Sequence, residues 1–309
     1  MQDNLPMVSI CCITFKHEKY IRECLDGFIM QKTKFPFEVI VHDDASPDKT
    51  ADIIREYEAK YPDIIKPIYQ TENQYSQKIK PLWKHVFPRC RGKYIAICEG
   101  DDFWCDENKL QMQYDFMEAN PDYSLCMHGR YVVDHFNQRF IASPFIKNFP
   151  ETSKEFAYRV ACGETLYSTQ TMFIRKSTFD TKHDEIFRDA QFAPMSDTQI
   201  AFHLGLAGKV KYIRKRMACY RIFSGSVTHN AQGDNKQFIE RARAAYNQML
   251  ENSGYTQWIE DREKALAAWN NFVQKPSLAR RIASKIYHLI PNAIAESKYK
   301  SYINSKEQR

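Results

Sequence analysis

The chain has 309 residues, 43% of them apolar and 27% charged, enough for one large domain or two modest ones and too apolar for wholesale disorder. Its net charge of +6 is carried entirely by residues 275–309, where eight Lys/Arg face two Glu, so residues 1–274 are formally neutral. A basic main fold of the kind that grips nucleic acid is therefore excluded.

Residues 7–15, MVSICCITF, form a β-rich apolar run short enough for a buried strand. Tyr20, Ile21, Cys24, Leu25, Phe28 and Ile29 then fall at helical spacing. FEVIVHDDAS (37–46) predicts a second strand ending in acids, and Ile53, Ile54 and Tyr57 share a face of the helix that follows. IIKPIYQ (64–70) and KYIAICEGDD (93–102) predict two more strands, and Leu110, Tyr114 and Met117 a helix stopped at Asn120-Pro121. This alternation implies an α/β fold with a mostly parallel sheet and helices on both faces.

The second half is less regular. SLCMHGRYVVD (124–134) and STQTMFIRKS (168–177) read as strands, and KVKYIRKRMACYRI (209–222) as extended. Thr152 and Glu155 have capping-box spacing before a short helix. MSDTQIAFHLGLAG (195–208) reads as a helix opened by Ser196 or Asp197 and closed near Gly208. From about Asn235 the pattern is helical to the end. No repeat or low-complexity linker appears. The nine cysteines are scattered without zinc spacing, as suits reduced thiols in a cytosolic protein. No apolar stretch is long enough to span a bilayer, and the N-terminus lacks the layout of a secretion signal.

Two predicted strands end in paired aspartates, Asp43-Asp44 and Asp101-Asp102. Ligands of open α/β sheets bind beyond the carboxyl ends of the strands. Neither GxGxxG nor GxxxxGK[ST] is present, so a diphosphate would need another neutraliser, and a carboxylate-held divalent cation is the simple one. The same acids also suit plain helix caps.

VSICCITFKHEKYIRECLDGFIMQ, FEVIVHDDASPDKT and GKYIAICEGDDFW together resemble the family 2 glycosyltransferases of the GT-A fold, over roughly the first 120 residues. The resemblance implies a nucleotide-sugar donor, a UDP-sugar above all, with Mg²⁺ or Mn²⁺ as cofactor. It places Ile13, Thr14, Phe15 and Glu18 at the nucleotide, Phe15 packing on the base. Asp44 matches the acid that accepts from the base, Asp101 the acid near the ribose, and Asp102 the metal ligand. Glu99 stands where the family often has a further acid. One of Lys78, Lys80 and Lys84, taken as Lys84, matches a base-contacting cation. The family's proline and asparagine beside the aromatic are here Ile13 and Lys16. From the residues alone, Phe15 reads equally well as a core aromatic.

Sugar transfer to a hydroxyl needs a proton acceptor beside the incoming oxygen. The Asp of MSDTQ resembles the family's base, which assigns Asp197 that role, with Ser196 in place of the usual Glu. A simple N-cap fits the same spacing. CYRIFSGSVTHN resembles a later Tyr-Arg element. Arg221 is there a diphosphate candidate by charge, Phe223 replaces a common histidine, and His229 is a candidate metal ligand. Trp104 is a candidate wall of the donor or acceptor pocket, or plain core.

Leu278, Ile282, Ile286, Leu289 and Ile290 form a helical stripe flanked by basic residues, which suits a helix lying on an anionic bilayer as well as one packed on the body. The expected organisation is a GT-A domain over 1–232, its nucleotide half about 1–120 and its acceptor half about 121–232, with a helical extension over 233–309. The expected function is metal-dependent, inverting transfer from a nucleotide-sugar to a hydroxyl of a glycan or lipid-linked acceptor, in the cytoplasm or at the inner membrane face. A sugar nucleotidyltransferase and a non-catalytic nucleotide-sugar or glycan binder are the alternatives.

Overall fold

The structure is a computed structural model and describes residues 5–134, 139–164, 166–191, 193, 196–223 and 236–264. β1 (Val8–Thr14), β2 (Phe37–Asp43), β3 (Ile65–Tyr69) and β4 (Tyr94–Ile97) run parallel in the order β3-β2-β1-β4. Helices α1 (Ile21–Ile29) and α2 (Thr50–Lys60) connect the first three. β1 and β4 lack the polar alternation of a half-exposed strand because both their faces are covered. Neighbouring residues alternate between two cores. Cys11, Ile40 and Ile95 face one, and Cys12, Val41 and Ala96 face the other.

The sheet continues through β8 (Phe173–Arg175), β6 (Tyr123–Asp134), β9 (Lys209–Ile222) and β5 (Phe103–Trp104). β7 (Arg139–Ala142) pairs with β6. β8 is antiparallel to β4 and β6, β9 is parallel to β6, and β5 is antiparallel to β9. The short strands β5 and β7 and helix α5 (Lys176–Ala190) were not anticipated from sequence.

On the α1 side, Ile21, Cys24, Leu25 and Phe28 bury one face of the helix. Gly27 lets that helix come close to β5, since a Cβ there would lie 2.8 Å from the Trp104 carbonyl oxygen. α3 (Lys109–Ala119) completes this layer. The opposite layer holds α4 (Ser153–Ala161), α5, α6 (Asp197–Ala207) and α7 (Lys236–Asn252). α4 starts at the expected cap, the Thr152 hydroxyl accepting from the Glu155 amide at 3.1 Å. The boundary expected at 232/233 lies outside the described residues. Met249, Leu250 and Trp258 belong to the same core as β1 and β4, and Asn252 Nδ2 donates to Asp189 in α5 at 2.6 Å.

All nine cysteines are free thiols. Among the described residues, no helix is long and apolar enough to cross a membrane.

Candidate active site

Three parallel strands deliver their carboxyl ends to one edge. Thr14 pairs in register with Asp43, and the Gly100 amide donates to the Ile13 carbonyl at 2.9 Å, which carries residues 98–102 alongside β1. Gly100 is needed for that approach, because a Cβ would sit 2.7 Å from Thr14 Oγ1 and 3.1 Å from His17 Nδ1. Thr14 Oγ1, His17 Nδ1 and Asp43 Oδ1 are buried there without a hydrogen-bond partner among the described residues. Buried polar atoms are ordinarily paired. Three orphans at one sheet edge mark a surface suited to a polar ligand. Burial holds the His17 imidazole below its ordinary pKa and pushes the Asp43 carboxyl up.

The Phe15 ring is 37% exposed, which rules out the core reading, and the Lys16 ammonium lies 5.0 Å from its centroid. The loop beyond β1 is fastened to the start of α2. The Lys16 amide donates to Ser46 Oγ and the His17 amide to Thr50 Oγ1, while Glu18 Oε2 accepts from the Lys49 amide. Ile13 is half-buried at the strand end, and Glu18 is exposed.

Asp44 is 4% exposed, and both its oxygens are engaged. Oδ1 accepts from the Gln74 amide at 2.8 Å and Oδ2 from the Tyr75 amide at 3.0 Å. It therefore anchors the loop that runs from β3 to the π-helical turn Leu82–Val86. Of the three lysines considered there, Lys84 is exposed on that turn. Lys80 instead reaches across to Ala193, its ammonium donating to that carbonyl at 2.5 Å. Burial, then repulsion from Arg241, hold the Lys80 amine down at about 8 despite the attraction of Asp197.

The EGDD segment separates its acids by burial. Glu99 and Asp101 are half-buried, whereas Asp102 is 2% exposed and accepts the Arg221 amide on Oδ1 at 2.8 Å. Burial, followed by the Asp101 and Asp197 carboxylates, pushes Glu99 up to about 8. Burial and then Asp101 push Asp102 far up as well. Arg221 is not a free cation. Its guanidinium donates to the Asp101 carbonyl at 2.6 Å and to Glu23, and it lies 4.5 Å from the Phe103 ring centroid. Trp104 is not a pocket wall. It is fully buried between Phe28 and the Lys109 ammonium, and its indole N–H donates to the Gln170 carbonyl, because β5 turns the ring inward beneath α1.

Asp197 opens α6, a helix buried on nearly every side and packed on α4 and α5. Its Oδ1 accepts the Thr198 amide at 2.9 Å. The helix N-terminus favours the charged carboxylate. Burial outweighs that help and raises the Asp197 pKa, with Arg130 and Lys80 opposing the rise. Asp197 thus shares one electrostatic neighbourhood with Glu99, at the end of β4. Sequence reasoning missed Arg130, a β6 residue that feels both Asp102 and Asp197, and it missed the link from Lys80 to Asp197. The arginine sits inside an ordinary strand pattern; in the fold it pairs with Ala218 of β9, and β9 pairs in turn with β5, which starts directly after Asp102.

His229 and the basic segment 275–309 lie outside the described residues. Among the described residues, no three His, Cys, Asp or Glu side chains converge as a ready-made metal cage.

Residues 9–182, more than half of the chain, match the family described as Glycosyl transferase family 2. An uncharacterized protein of Mycobacterium tuberculosis is 32% identical over 235 residues, covering 75% of this chain and 64% of the relative. The chain thus spans just under two thirds of that relative's length. The putative glycosyltransferase EpsE of Bacillus subtilis is 31% identical over 134 residues, 43% of this chain and 46% of EpsE. The crystal structure of S. aureus TarS residues 1–349 in complex with UDP-GlcNAc superimposes with a TM-score of 0.61 at 18% identity, covering 89% of this chain and 77% of that one, which shows a shared fold. With its acid-ended parallel strands and this match, the chain belongs to glycosyl transferase family 2.

Proposed function

We propose that the protein transfers a sugar from a nucleotide-sugar to a hydroxyl of a glycan or lipid-linked acceptor. One observation carries this reading. Glu99 and Asp101, at the end of β4, and Asp197, at the start of α6, are brought into one electrostatic neighbourhood beside the orphaned polar atoms of the β1 edge. The TarS likeness, to a protein solved with UDP-GlcNAc, supports UDP as the nucleotide.

In this reading the base stacks on the exposed Phe15 and is met at the Asp44 end of β2, with Thr14 and His17 beneath the ribose. The donor set fits a divalent cation. Carboxylate oxygens are hard ligands, and burial together with the Asp101 and Asp197 carboxylates raises the Glu99 pKa, an electrostatic load a cation would relieve. Mg²⁺ takes substrate phosphates plus one or two carboxylates, which the acids at the end of β4 can supply. Asp101, half-buried and less enclosed than Asp102, would hold the cation. Asp102, singled out from sequence, would hold the loop through Arg221. A bound cation supplies charge compensation for the leaving diphosphate.

Asp197 takes the proton of the acceptor hydroxyl as that oxygen attacks the anomeric carbon opposite the leaving group, inverting its configuration. Its raised pKa brings it toward the working range of a general base. Arg130 and Lys80 keep it from protonating too early. The setting is the cytoplasm or the inner membrane face, where nucleotide-sugars are made.

A thermal-shift series with UDP, GDP and ADP, each with and without Mn²⁺, tests the nucleotide half. Ligand that binds only the folded state raises the melting temperature by mass action. A Mn²⁺-dependent shift with UDP is expected. Equal, metal-independent behaviour of all three nucleotides overturns the reading.

A further inference from the structure

Helix α7 reaches the start of α6 with a hydroxyl. The Tyr246 phenol lies 2.8 Å from Thr198 Oγ1, and the Tyr167 phenol is hydrogen-bonded to the same oxygen. Thr198 is the residue whose amide donates to Asp197 Oδ1. A threonine hydroxyl offers one proton and two acceptor sites, so it can join two phenols at once. Thr198 is 2% exposed, and both phenols stay protonated, because burial and then the Asp197 carboxylate raise their pKa values.

Docking of α7 does not need this phenol. Ala245, Met249 and Leu250 already bury the helix in the core. Met249 and Leu250 stand three and four positions after Tyr246, on the same helical face. Arg262, 3% exposed, packs its guanidinium 4.5 Å from the Tyr246 ring centroid.

We propose that Tyr246, acting through Thr198 and together with Tyr167, is a positioning residue for Asp197. The clamp holds Asp197 Oδ1 on the Thr198 amide and leaves Oδ2 to face the acceptor hydroxyl. Residues beyond the family-matched segment 9–182 thus complete the base end of the site. This inference rests on the reading of Asp197 as general base.

The test uses the full chain carrying Tyr246→Phe, with Thr198→Val as a second variant and Asp197→Asn as control. Three quantities are compared. These are the melting shift with UDP and Mn²⁺, the rate of UDP release from a UDP-sugar across pH, and hydrogen exchange of the Thr198 amide. Tyr246→Phe should keep the UDP shift and the KM for donor. It should lower kcat by about tenfold, a part of the ~10²–10⁴ that a positioned base contributes. It should also move the acid limb of kcat to higher pH and speed Thr198 amide exchange at least several-fold. Thr198→Val should do the same. Wild-type kcat, pH profile and amide exchange in both variants overturn the proposal, as does a loss of UDP binding in step with kcat. If Asp197→Asn keeps full turnover, the base reading itself fails, and amide exchange still decides whether the clamp exists.

Discussion

The Arg221 amide donates to Asp102 Oδ1 at 2.8 Å, while the guanidinium of the same residue bonds the Asp101 carbonyl and Glu23. One arginine on β9 therefore fixes the backbone and one side chain of the acid loop, and ties both to α1. Arg221 is 2% exposed, so its partners have no ready substitute in water. Arg221→Met should destabilise the protein by about 3 kcal/mol, the scale for leaving a buried charge unpaired. Arg221→Lys should recover little, because a point ammonium does not reproduce the two-way fork. Urea denaturation midpoints read both. A near-neutral Arg221→Met would show that the acid loop is held by something else.

The two aspartates of that loop should separate in function. Asp101→Asn is expected to abolish the Mn²⁺-dependent part of the melting shift with UDP while leaving the unliganded melting temperature within a few degrees. Asp102→Asn is expected to act first on stability, since the side chain accepts a main-chain amide in a buried place. Thermal melts of both variants, with and without metal and nucleotide, check this. The reverse pattern would return the cation to Asp102.

Gly100→Ala probes the strand edge itself. The new Cβ would fall within 2.7 Å of Thr14 Oγ1, so the β4 extension must move away from β1. UDP binding should weaken at least tenfold, about 1.4 kcal/mol. Calorimetric titration of the variant gives the number. Unchanged affinity would mean that the Thr14–His17 corner is not part of the nucleotide site.

Much of this site was legible because its carriers are local in sequence. The runs 7–15, 37–46 and 93–102 contain the parallel strands β1, β2 and β4, and the acids stand at the ends of β2 and β4. What was not legible depends on partners distant in the chain. β5 spans Phe103–Trp104 and has no pattern of its own. Helix α5 is largely charged and buries only Phe179, Ile186, Asp189 and Ala190, so its apolar face is too thin to stand out. Trp104 next to two aspartates suggested a pocket, yet β5 turns it into the core. Lys80 and Arg130 meet Asp197 only through the fold.

Lys109 gives a pH prediction for the buried core. It is fully buried, bonds Gln113 Oε1 at 2.7 Å, and burial lowers its pKa to about 7. In the unfolded chain a lysine titrates near ~10.4. Between these values the unfolded chain binds the proton and the folded one does not. This residue's contribution to stability therefore falls as pH drops from about 10 to about 7, by up to about 1.4 kcal/mol per unit, and is level below that. Lys109→Met should gain on the wild type as pH falls through that window, and the gap should close toward pH ~10. Chemical denaturation of both proteins across the range is the check. A constant gap would mean that Lys109 stays charged in the folded state.

Whether the Asp197 carboxylate accepts the acceptor's proton is decided most directly by comparing wild type with Asp197→Asn. The measurement is transfer from a UDP-sugar to a glycan acceptor in the presence of Mn²⁺, alongside UDP binding. The account predicts that Asp197→Asn binds UDP as the wild type does and loses transfer by at least about a hundredfold. Transfer at the wild-type rate by the asparagine variant would contradict it.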